Sequence, residues 1–433
     1  MEKLQIKNFA GLKDVTIDVK PITGFIGPQA SGKSVIAKLL YFFREIASRL
    51  PEAVRKGMDN ARYKAECHKR FNRYFPVENT GALNFEITYW SGSENVRVIF
   101  SRDNATFVET TSLEWSGFFS VGIENLTRWK QQTLDRVGEG DAETIGAIES
   151  WLRIEYGGEA SRILGPLWSR EQVFIPAGRA FFSQLSETVF TGLDAGESFD
   201  PFIVAFGALL ERSKASLERV GFFGLLQHLH TEAIRQNEFL RSTFKKIMRA
   251  ELDRFENQDS LRFDDGRRVN LAQASSGHQE VLPLLLLLAY FSTTDNGRGR
   301  AVYIEEPEAH LFPSTQKQIV EFIAGVFRER HHQMSLVLTT HSPYILTSIN
   351  NLLQAGRLYD GAAPDVQKRL ESVIPSSRVL RPGEVGFYAL ENGGAKSIID
   401  RETGLIDAAV IDEVSDEIAT QFDELLMEGN EKR

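Results

Sequence analysis

A single cysteine, Cys67, stands in 433 residues, which excludes internal disulfides and cysteine-rich zinc ribbons and fits a reducing compartment. Long apolar runs are missing too. The longest, Val281 to Phe291, falls far short of the ~20 residues a membrane-spanning helix needs, and reads as a buried helix. The opening MEKLQIKNFAGL has no continuous apolar stretch and does not read as a signal peptide, so the expected location is the cytoplasm. Internal repeats and low-complexity tracts are absent. Positive charge is in deficit: 50 Lys and Arg face 59 Asp and Glu, a net −9, which argues against a wholly basic nucleic-acid binder. What is present, 42% apolar and 25% charged residues, belongs to an ordinary globular chain long enough for two lobes.

The organising stretch is Gly27, Pro28, Gln29, Ala30, Ser31, Gly32, Lys33 and Ser34, with the G-x-x-x-x-G-K-S spacing of a P-loop. Ile22–Ile26 before it is apolar enough for a buried strand, and residues 35–43 after it have helical character. In that context glycines let successive N–H groups face one anion-sized hollow at the positive end of a helix dipole. Lys33 then reaches the β- and γ-phosphates of ATP, and the Ser34 hydroxyl holds Mg²⁺.

Residues 4–9 and 15–19 alternate apolar and polar about Gly11, a strand, turn and strand leading into the P-loop strand. Residues 49–73 carry Arg55, Lys56, Arg62, Lys64, Lys69 and Arg70 with few acids. They read either as a basic surface for a phosphate backbone or, more simply, as a solvated helix face. Three strands are expected at 85–90, 96–101 and 106–110, an antiparallel sheet placed to wrap a nucleotide base. Residues 112–165 receive no task. A strand at 172–175 runs into PAGR, where Arg179 faces a phosphate or a partner subunit, or else is structural. From Phe181 to Glu256 the pattern is mainly helical and ends in a second basic stripe, Arg241, Lys245, Lys246 and Arg249, again with a solvated face as the simpler account. Residues 261–263 and 268–271 flank DDGR as a hairpin.

Three further segments complete a site. ASSGHQE, Ala274 to Glu280, puts a serine and a glycine at a helix N-terminus, although Ser276 can serve there as a plain N-cap. AVYIEEPEAH ends a β-rich run in two carboxylates. Glu305 is placed to hold Mg²⁺ directly or through water, and Glu306 to act on the attacking water as base or orienter, unless the pair simply closes an exposed strand. LVLTTHSP is another buried-type strand, ending at His341, which can contact a γ-phosphate because ligands of open α/β sheets sit at the carboxyl ends of strands.

In this order the four segments resemble the ABC-type ATPases of the SMC and RecF class. The resemblance covers the opening ~40 residues and residues 274–353. It implies an α/β fold, a P-loop NTPase with the mixed sheet and helical insertion lobe of an ABC-type ATPase head. It further implies that Ser275, Ser276, Gly277, His278 and Gln279 form the signature, that Glu306 is the catalytic glutamate, and that His341 is the switch histidine. A signature of this kind closes over nucleotide held by another copy, so the implied unit is at least a head-to-tail dimer with two ATP molecules. Two departures stand out. SSGHQ replaces the usual LSGGQ, and the carboxylate pair is Glu-Glu rather than Asp-Glu.

EEPEAHLFP followed by TTHSP narrows the resemblance to the OLD-like group, with Phe312 where a second histidine is usual. Some members carry a TOPRIM nuclease after the switch histidine, and no glutamate-then-D-x-D series follows His341 here. The chain is therefore more similar to the stand-alone ATPase subunits of antiphage systems such as PARIS and Septu. That resemblance implies a sensor or regulator acting with a separately encoded toxic effector, such as a TOPRIM or HNH nuclease. The alternative is a DNA-repair or chromosome-associated ATPase, with nucleic acid bound along the two basic stripes; a self-contained nuclease is a third reading. Four segments follow: 1–180 with the P-loop and antiparallel strands, 181–260 as helical insertion, 261–353 with signature, carboxylate pair and switch histidine, and 354–433 as a strand–helix segment. In the last, Ile411, Val414, Ile418, Phe422 and Leu425 repeat at helical spacing, docked on their own lobe or offered to a partner.

Overall fold

The computed structural model describes residues 2–76, 84–92, 96–102, 111–137, 155–159, 162, 170–184, 200–219, 231–255, 258–294, 298–330, 333–407 and 420–422. Its strands are β1 (Glu2–Phe9), β2 (Leu12–Val19), β3 (Ile22–Ile26), β4 (Phe85–Ser91), β5 (Val96–Arg102), β6 (Thr111–Trp115), β7 (Glu171–Ile175), β8 (Ala250–Phe255), β9 (Gln258–Phe263), β10 (Arg268–Asn270), β11 (Arg300–Glu305), β12 (Met334–Thr340), β13 (Val385–Glu391) and β14 (Gly394–Ser397). The helices are α1 (Lys33–Ser48), α2 (Leu50–Arg55), α3 (Asn60–Tyr74), α4 (Gly117–Val137), α5 (Ala180–Gln184), α6 (Pro201–Arg219), α7 (Thr231–Met248), α8 (Ser276–Thr293), α9 (Pro313–Glu329), α10 (Pro343–Tyr359) and α11 (Pro364–Val373).

The central sheet runs in the order β14-β13-β3-β12-β11-β7. All but the β14 edge are parallel, so the P-loop strand sits between β13 and β12, and the carboxyl ends of β3, β11 and β12 lie side by side. Strands buried on both faces read as continuous apolar runs, and every residue of β3, β11 and β12 is buried. One face, with Val302, Ile304, Leu336, Leu338 and Phe387, packs on α8, α9 and α10. The other, with Phe25, Tyr303, Val337 and Tyr388, packs on α1. Beyond α1 lies a five-stranded antiparallel sheet, β2-β1-β4-β5-β6, and a third sheet, β10-β9-β8, completes the set.

α8 carries the apolar run expected to be a buried helix, and Val281 to Ala289 are all buried. Each leucine fully removed from water contributes about 1.5–3 kcal/mol. The α1 side is filled differently, by aromatic rings and buried ion pairs. Arg44 donates to both carboxylate oxygens of Glu2 (2.6 and 2.9 Å) and to the Tyr303 hydroxyl (3.2 Å), which ties β1, α1 and β11 together across two layers. Burial pushes the Glu2 carboxyl up, but the Arg44 guanidinium, with the Tyr89 hydroxyl, outweighs it and holds the carboxyl below its ordinary range.

Several expectations change. The hairpin about Gly11 forms, but β1 and β2 belong to the five-stranded sheet and not to the sheet of the P-loop strand. The strand expected at 106–110 lies outside the described residues; the strand that pairs with β5 among the described ones is β6 at Thr111–Trp115. Trp115 packs on Tyr63 and Phe119 and donates to Asn60, which anchors the strand at that register. The helical stretch ends at Met248, because Ala250 and Leu252 place their side chains on the core at strand spacing in β8. The amphipathic segment 411–425 lies outside the described residues except for 420–422, which are helical.

Much of the basic charge is already engaged. Arg55 and Lys56 pair with Glu52, and Arg70 with Glu45 and Glu66. Lys245 pairs with Glu251 and Asp264, and Lys64 lies over the Trp115 ring.

Candidate nucleotide site

The P-loop leaves β3 and enters α1 through Gly32, whose φ of +98° is a left-handed value that side chains resist; a Cβ there would also meet Leu12 at 2.7 Å. Lys33 is buried, and its ammonium donates to the carbonyls of Gly27 (2.8 Å) and Pro28 (2.7 Å), held over the loop it closes. Burial lowers the Lys33 pKa, while Glu306 and Glu308 pull it back up. Ser34, one residue on, is exposed.

Glu306 follows β11 with φ of +42°, and its N–H still donates to Thr339 O (2.9 Å), so the strand pairing persists up to a strained residue. His341 follows β12. Its Nε2 lies 3.1 Å from Glu306 Oε1, and its Nδ1 lies 3.4 Å from Lys33 Nζ. Three segments widely separated in the chain thus meet side chain to side chain. The Glu305 carboxylate accepts from Ala177 N–H (3.3 Å) through one oxygen, and its other oxygen is buried with no hydrogen-bond partner. A buried carboxylate oxygen of that kind suits a magnesium ion, which keeps most of its waters and takes only one or two protein ligands.

Ser275, Ser276, Gly277, His278 and Gln279 open α8. Ser275, rather than Ser276, is the N-cap, accepting from His278 N–H at 3.4 Å. The His278 ring is tied between Ser275 Oγ and the Met248 carbonyl, both at 2.8 Å. Gln279 spends its amide on the carbonyls of Leu271 (3.1 Å) and Ala272 (2.9 Å). Ser275 and Ser276 remain exposed at the helix start. Gly277 is required by close approach, since a Cβ would stand 2.8 Å from His310 O.

Two residues escaped the sequence reading. Glu308 is buried, and one of its oxygens accepts from Thr340 Oγ1 and from His341 N–H, both at 2.7 Å, so it positions the His341 backbone. Glu280 is buried beside Arg179. Arg179 itself does not reach the surface: it is fully buried and donates to the Pro176, Glu280, Glu305 and Glu306 carbonyls. Both glutamates lie in quoted segments, EEPEAH and ASSGHQE, but a glutamate beside an apolar run carries no sequence sign of burial.

The family described as AAA ATPase domain matches residues 1–114 and 219–346, just over half of the chain. The chain belongs to this family. As an AAA ATPase domain, it places the P-loop and the glutamate pair within the matched residues. No curated protein matches the chain. Among solved structures, an SMC head domain from Thermotoga maritima is 13% identical, with a TM-score of 0.36 over 92% of this chain and 97% of that one. A Smc head domain from Pyrococcus furiosus, bound to the C-terminal domain of ScpA, is 13% identical, with a TM-score of 0.38 over 92% and 96%. The recombination mediator protein RecF is 10% identical, with a TM-score of 0.35 over 92% and 97%.

Proposed function

We propose that this AAA ATPase domain works as an ABC-type, two-site ATPase in which two copies dock head to tail around two Mg-ATP molecules. The observation that carries the reading is the contact chain Lys33–His341–Glu306 at the carboxyl ends of three adjacent parallel strands. Lys33 would turn from its loop carbonyls to the phosphates, with Ser34 and Glu305 on the metal. Glu306 would orient the attacking water or take its proton, and His341 bridges the two ends of that arrangement. Ser275, Ser276 and the N-terminus of α8 would close over the nucleotide of the other copy. Exposed aromatic surface supports a partner on this face: Phe181, Phe312 and Tyr344 follow the carboxyl ends of β7, β11 and β12 and are 49%, 74% and 51% exposed.

The biological role we infer is ATP-gated control of a separately encoded toxic effector in antiphage defence, an inference supported by the resemblance of EEPEAHLFP and TTHSP to the OLD-like group. Glu306→Gln should slow hydrolysis by about a hundredfold or more while retaining ATP and holding a dimer on gel filtration. Wild-type turnover in that variant would remove Glu306 from the chemistry, and a strictly monomeric ATP-bound form would remove the two-site arrangement.

A further inference from the structure

Arg179 is the fully buried centre of a clip between two parts of the site. Its guanidinium donates to the carbonyls of Pro176 (3.0 Å), Glu305 (2.7 Å) and Glu306 (2.9 Å) on one side, and to that of Glu280 (3.1 Å) on the other. The Glu280 carboxylate closes the ring: it lies 3.3 Å from Arg179 Nη2 and accepts the N–H groups of Arg179 (2.9 Å) and Ala180 (2.8 Å). Glu280 is the residue after Gln279, in the first turns of α8. Pro283 lies inside α8 and cannot donate to the Gln279 carbonyl four residues back. The Ser183 hydroxyl supplies that bond instead, at 2.8 Å. Residues 176–183 therefore grip the start of α8 and the end of β11 at once.

In a head-to-tail pair these two parts serve different nucleotides. Glu305 and Glu306 act on the ATP of their own chain, whereas the start of α8 touches the ATP held by the partner. We propose that Arg179 is a positioning residue that couples the two ATP sites, so that nucleotide engaged by a chain's own signature segment sets the backbone of that chain's own Glu305–Glu306 pair. This rests on the two-site reading above. The physical route is short and contiguous: a shift of the first turn of α8 moves the Glu280 carboxylate and carbonyl, hence the guanidinium, hence two carbonyls flanking a residue already at a left-handed φ. A lysine retains the charge but loses the planar fork that serves several acceptors together.

The test compares ATP turnover per intact P-loop in homodimers and in equimolar mixtures with Lys33→Ala chains, which leave the neighbouring site empty. Wild-type turnover per intact P-loop should fall in mixed dimers by about fivefold, the low end of ordinary coupling between sites. In Arg179→Lys the homodimer and the mixed dimer should turn over alike. Glu280→Gln is the second route: it removes the charge facing the guanidinium and one of the two oxygens that accept the Arg179 and Ala180 N–H groups, and leaves the bonds of Arg179 to the Pro176, Glu305 and Glu306 carbonyls in place; it should give the same result. A wild-type chain without the fall, or both variants retaining the full fall, overturns the coupling. Failure of Glu306→Gln to dimerise with ATP is a separate outcome that overturns the two-site reading instead.

Discussion

The P-loop and the start of α8 are both helix N-termini rich in serine and glycine, yet they spend their polar groups in opposite ways. At the P-loop, Lys33 rests on loop carbonyls that a phosphate can replace, and Ser34 is exposed. At α8, the side chains of His278 and Gln279 are committed to Met248, Leu271 and Ala272, and only the serines face outward. One terminus is built to change partners, the other to hold shape and present a small surface. A site that receives a ligand needs displaceable bonds; a site that closes over a ligand from outside needs a rigid edge.

The sharpest way to break this comparison is Lys33→Ala. It should abolish the thermal shift that saturating ATP gives the wild type, worth about 2.7 kcal/mol at a hundred times Kd, while the apo melting temperature changes little or rises, because a buried ammonium is lost. A retained shift would show that the nucleotide is held elsewhere. Gln279→Ala should act on the fold instead: two carbonyls lose their donor, and stability measured by urea unfolding should drop by about 1–3 kcal/mol. His278→Ala should cost less, about 0.5–1.5 kcal/mol, since the ring bridges two groups at a partly exposed helix start. A larger loss for His278 than for Gln279 would reverse the ranking and make the histidine the keystone of the edge.

Much of the site was legible because its parts are short and locally determined. The P-loop spacing, the buried strands ending in Glu305–Glu306 and His341, and the apolar α8 each follow from residues within one turn or one strand. Local sequence carries no sign of contacts whose partners come from far away. For Arg179 a phosphate, a partner and a structural role stayed open, because three of its four carbonyl acceptors, those of Glu280, Glu305 and Glu306, stand more than a hundred positions downstream. Glu308 carried no sign of its bond to the His341 backbone for the same reason. Which sheet the β1–β2 hairpin joins likewise has no local sign, since alternation marks a strand but not its neighbour.

Sequence by itself determined that this chain holds a nucleoside triphosphate, because a glycine-bounded loop before a helix exposes N–H groups wherever it is placed. Tertiary structure alone decided that Lys33, His341 and Glu306 meet, and that a buried arginine joins the start of α8 to the glutamates. Those contacts depend on the order of strands in the central sheet, which is set by long-range pairing and by two differently filled cores, and no local pattern encodes it.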